Sequence, residues 1–76
     1  MPAVSASRPR RFEFRGGTSC KFWELSVTGI DVTVRFGRIG SQGQTNVKSF
    51  SNTDDATQHA ERLVRAKLAK GYVEVG

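Results

Sequence analysis

Seventy-six residues allow one domain, because a chain this short buries only about 60% of the surface it exposes when unfolded and has no material for a second core. A single cysteine, Cys20, excludes an internal disulfide, and Cys20 with the lone His59 falls short of the roughly four ligands of a structural zinc site, so neither a metal nor another cofactor is expected. Twelve Lys and Arg against seven Asp and Glu give a net charge of +5 and a pI near 10.2, a balance that draws the chain toward polyanions, nucleic acid first among them.

Residues 1–9 are small, polar and proline-punctuated, and read as a flexible basic arm before a domain spanning 10–76. From Arg11 the pattern changes. "RFEF" alternates Phe12 and Phe14 with Glu13 and Arg15, as a half-buried strand does, and ends at Gly16-Gly17. "CKFWELSV" then sets Trp23, Leu25 and Val27 on one face and Phe22, Glu24 and Ser26 on the other. A turn at Thr28-Gly29-Ile30-Asp31 leads into "DVTVRFGRI", where Val32, Val34 and Phe36 alternate with Thr33, Arg35 and Gly37, so the two runs make a hairpin. "GSQG" turns the chain again into "QTNVKSF", polar enough to lie at a sheet edge.

At Asn52 the period switches to that of a helix. Ala56, Ala60, Leu63, Val64 and Leu68 form one apolar stripe, Asn52 or Thr53 can cap its start, Asp54 and Asp55 suit the positive end of the helix dipole, and Gly71 stops it. A helix of about 17 residues with one apolar stripe must lay it on a sheet. The expected fold is therefore α+β: an antiparallel meander of about four strands packed against one C-terminal helix, with "YVEV" returning as a short closing strand.

Catalysis finds few candidates. His59, mid-helix beside the stripe, reads as a surface or boundary residue, and Cys20, opening a strand, as a packing residue. "GRIGSQG" lacks the Lys-Ser/Thr pair and the following helix of a phosphate loop, so its glycines are turn residues. A non-enzymatic role follows. No run approaches the ~20 apolar residues of a membrane span, nor does the N-terminus carry the apolar core of a secretory signal, and the cytoplasm is the expected compartment. The basic residues fall on every element, which favours contact with a nucleic-acid backbone over the reading of particular bases.

"KFWELSV", "VRFGRIGSQGQT", "KSF" and "KLAKGYVEV", in this order and spacing, resemble the WGR domain, over about residues 10–75. The family is named for a Trp-Gly-Arg tripeptide, which reads Phe36-Gly37-Arg38 here. Members occur inside poly(ADP-ribose) polymerases and in short or fused bacterial proteins. The resemblance implies a site beside a DNA break, with the aromatic on sugar, basic neighbours on phosphate and the arginine linking to adjacent domains. It does not imply ADP-ribosyl transfer, since this chain has no polymerase domain. Phe36, Gly37, Arg38, Arg35, Lys21 and Lys48 are accordingly the candidate nucleic-acid contacts, DNA more than RNA, with docking onto a partner protein as the alternative and neither a membrane nor a small-molecule substrate expected. In this reading Gly37 leaves a face of the Phe36 ring open, flanked by cations. Strand parity with Val32 and Val34 also allows Phe36 to fill the core, and phenyl in place of indole removes an N–H donor.

Overall fold

The computed structural model describes residues 9–75, so the expected arm lies, but for Pro9, outside the described residues. Five strands and one helix follow in the order β1 (Arg10–Gly16), β2 (Ser19–Thr28), β3 (Asp31–Arg38), β4 (Gln44–Ser49), α1 (Thr53–Ala69) and β5 (Val73–Val75). The sheet is antiparallel, with spatial order β4-β3-β2-β1-β5. Strands β1 to β4 are the expected meander. The helix then carries the chain from one sheet edge to the other: 17 residues give a rod of about 25 Å, enough to cross the ~19 Å between the outer strands. β5 closes on β1, where Glu74 accepts two hydrogen bonds of 2.8 Å from the Arg10 guanidinium.

One face of the sheet receives the helix. Phe12, Trp23, Leu25 and Val32 are buried there against Ala56, Ala60 and Val64, with the Phe12 and Trp23 rings 5.5 Å apart. Small residues at i, i+4 and i+8 let the helix lie close to β2 and β3. Asn52 is the cap: its side chain accepts from the Asp55 N–H at 2.8 Å, and Thr53 is the first helical residue. The apolar stripe is shorter than its periodicity suggests. Leu68 is 49% exposed, and the half-buried residue of the last turn is Lys67. Cys20, expected to pack, is exposed.

The other face carries no helix, yet Phe22 is only 1% exposed there. Its ring lies under the guanidiniums of Arg11 and Arg35, 4.7 and 5.1 Å from its centroid. Glu13 and Glu24 hold these cations. Arg11 reaches Glu13 at 2.9 Å and Glu24 at 2.7 Å, Arg15 reaches Glu13 at 2.9 Å, and Arg35 lies 3.5 Å from Glu24. The β3–β4 loop completes the cover. At Gly37, cross-strand from Phe22, an added Cβ would stand 2.8 Å from the Gly43 Cα; at Gly43 it would stand 2.7 Å from Phe22 Cζ. The space left by Gly37 is thus filled by the returning loop and does not open the Phe36 ring. No helix among the described residues is long and apolar enough to cross a membrane.

Candidate nucleic-acid interface

The two-residue turn at Gly29-Ile30 fixes the β2–β3 register, which sets Lys21 beside Arg38 and Trp23 beside Phe36. Strand parity points all four to the face that the helix covers, just beyond the helix C-terminus. From above, Lys67 places its Nζ 5.5 Å from the Trp23 ring centroid and 5.3 Å from that of Tyr72. Tyr72 is held by its N–H bond to the Lys67 carbonyl at 3.1 Å and by Phe14, whose ring is 5.5 Å away. These six side chains, Lys21, Trp23, Phe36, Arg38, Lys67 and Tyr72, line a cleft of about 670 Å³, whose rim includes Cys20 and which no carboxylate lines.

The electrostatics of this cleft differ from those of the rest of the sheet. Like charges directly opposite on neighbouring strands repel, and Lys21 and Arg38 stand in that relation. Burial pushes the Lys67 ammonium below its ordinary pKa, and the charges of Lys70 and Lys21 push it further down. Among the described residues, the ion pairs engage Arg10, Arg11, Arg15 and Arg35, and none engages Lys21, Arg38 or Lys67. Each arginine on the Phe22 face has a carboxylate partner, whereas the cations at the cleft have none.

Of the six candidates named from sequence, Phe36, Gly37, Arg38 and Lys21 come together here. Phe36 is half-buried, with one side packed on the core and the other lining the cleft. Lys48 stands on β4 with its Nζ 5.4 Å from the Phe50 ring, and lines a separate apolar slot. Arg35 points to the opposite face, where its Nε donates to the Gln42 carbonyl at 2.7 Å and anchors the β3–β4 loop. Trp23, Lys67 and Tyr72 were not among those candidates. The parity of Lys21 with Trp23 was a readable signal for the first. Only the tertiary placement of the helix end brings in the other two.

The family profile described as WGR domain matches residues 9–76, nearly all of the chain. The chain belongs to the WGR domain family. Relatives of this WGR domain include the Escherichia coli K12 proteins YfeS, 35% identical over 65 residues, and YehF, 34% identical over 65 residues; each alignment covers 86% of this chain. The matches cover 27% and 24% of those proteins, so the WGR domain spans about a quarter of their length. A crystal structure of a Bacteroides fragilis protein superimposes with a TM-score of 0.89 at 43% identity, covering 91% of this WGR domain and 20% of that chain.

Proposed function

We propose that this WGR domain is a non-catalytic nucleic-acid-binding module that contacts sugar-phosphate backbone or duplex ends with little sequence preference, through the cleft. The observation that carries this reading is the cluster of Lys21, Arg38 and Lys67 around Trp23, Phe36 and Tyr72 with no carboxylate to neutralise it. Such a cluster costs stability in the free protein, and phosphate relieves the repulsion. The half-buried rings of Phe36 and Tyr72 add a sequence-tolerant surface for sugar or base, with Trp23 as the floor beneath them. Family membership agrees with a binding role. Cys20 and His59 border different hollows, which separates the nucleophile from the base that a catalytic pair would need.

The test is a fluorescence-anisotropy titration of labelled blunt and nicked DNA duplexes at several salt concentrations. Binding that weakens steeply with salt, and weakens more on Arg38→Ala than on Arg62→Ala, is expected. Absence of binding at low salt, or affinity indifferent to salt, refutes the reading.

Docking onto a partner protein is the second reading. It is favoured by the outer edge of β4, a six-residue strand with no described neighbour on that side and with Val47 61% exposed. Capture of a partner that survives nuclease treatment would support it.

A further inference from the structure

A second hollow of about 330 Å³ adjoins the cleft between α1 and strands β3 and β4. Trp23, Phe36 and Lys67 line both hollows, so the two share a wall. The second differs in chemistry: Val32, Val34 and Leu63 give it apolar sides, while Asn46, His59 and Lys48 stand around it with polar atoms. No carboxylate lines it, and it has a cation at the shared wall, Lys67, and another on the β4 side, Lys48.

The occupant that matches is a flat ring with apolar faces, a polar edge and an anionic tether. An apolar peptide side chain would use the walls but neither cation. A base inside a duplex cannot enter, because both its faces are stacked on its neighbours. An unpaired base can: its faces meet the apolar walls, its edge meets the amide of Asn46 or the imidazole of His59, and its phosphate stays with the cations of the cleft. We propose that the slot receives an unpaired nucleobase of a strand whose backbone rests on Lys21, Arg38 and Lys67, so that the domain selects DNA ends carrying a single-stranded overhang over blunt ends. The inference rests on the nucleic-acid reading of the cleft and adds to it the kind of end that is bound.

The experiment compares the full 76-residue chain on a blunt duplex and on the same duplex with a short 3′ or 5′ overhang, by anisotropy at one low salt concentration. Overhang DNA is expected to bind at least about fivefold more tightly, the lower end of what stacking a base on an aromatic surface supplies. A parallel arm with a ribonucleotide overhang distinguishes the two sugars. Val34→Phe, which fills the slot, should abolish the preference while leaving blunt-end binding and its salt dependence unchanged. Asn46→Trp serves the same purpose from an exposed position on β4, where folding is not at stake, and circular dichroism confirms that both variants fold. Equal affinity for blunt and overhang DNA, or a preference that survives both folded variants, overturns the inference and leaves the nucleic-acid reading standing. Failure to bind any of these DNAs overturns both. Self-association without DNA that Asn46→Trp abolishes would assign the slot to a second copy of the chain and also overturn it.

Discussion

Gly43→Ala isolates the close approach that covers Phe22. The residue has φ +74°, and a Cβ added there would lie 2.5 Å from the Phe36 carbonyl oxygen and 2.7 Å from Phe22 Cζ. The backbone term costs about 1–2 kcal/mol for any L-residue held left-handed. The clash adds about 1–3 kcal/mol of overpacking, because the carbonyl belongs to the β3 ladder and cannot rotate away. Together these give roughly 2–5 kcal/mol. Gly29→Ala supplies the control: φ is +61° and nothing lies within 4 Å of the added Cβ, so only about 1–2 kcal/mol is expected. Both are large against the ~4–11 kcal/mol total that about 0.05–0.15 kcal/mol per residue allows a chain of this size. Urea denaturation followed by the fluorescence of Trp23, the only tryptophan, reads the difference directly. With a slope of about 1 kcal/mol per molar, Gly43→Ala should lower the midpoint by roughly 2 M or more and Gly29→Ala by roughly 1–2 M. Midpoints for the two variants that coincide to within about 0.5 M would refute the packing argument, since they share the backbone cost and differ only in the contacts.

Three phosphate contacts in the cleft predict a slope of about −2.7 for log affinity against log salt on duplex DNA, or roughly 40-fold weaker binding between about 50 and 200 mM; Arg38→Ala should make the slope shallower by about 0.9, and Arg62→Ala should leave it alone. Lys67→Met should raise the melting temperature of the free domain at neutral pH while weakening DNA binding. Its lowered pKa means that the unfolded chain holds the proton more firmly, so the penalty stands while both states are protonated and is relieved as pH rises from the folded value to the ordinary 10.5. Hydrogen bonds from Arg11, then from Arg15, hold the Glu13 carboxyl below its ordinary 4.5, and the hydrogen bond from Arg10 does the same for Glu74. Their contribution is therefore complete above about pH 4.5 and is lost as pH falls through the folded values, which acid unfolding of Glu13→Gln beside the parent should show as a smaller drop.

Local pattern carried the architecture. The alternation in β1 to β4 and the 3.6-residue period from Ala56 to Val64 each report a face in contact with the core, and the turn at Gly29 then determines which residues lie side by side. Phe22 escaped that logic. Alternation assigns it to the face of Glu24 and Ser26, which reads as solvated, and its burial comes from stacked guanidiniums and a loop seven residues beyond β3's own aromatic. A glycine beside an aromatic suggests an open ring face, whereas Gly37 receives Gly43, a contact between residues whose adjacency depends on the loop's return path. Alternation along the strand sets Arg35 on the face opposite Phe36, although nearness in the chain groups both with Arg38. Lys67 and Tyr72 were beyond reach because no local signal says over which strand a helix ends.

The unequal partition of charge has a dynamic consequence. Asp54 and Asp55 open α1 while Lys67 and Lys70 close it, and the arginines on the sheet's back are each paired with Glu13 or Glu24. A polyanion approaching such a molecule exerts a torque on it as well as a pull, turning the Lys21–Arg38 end forward during the encounter, before any atom touches.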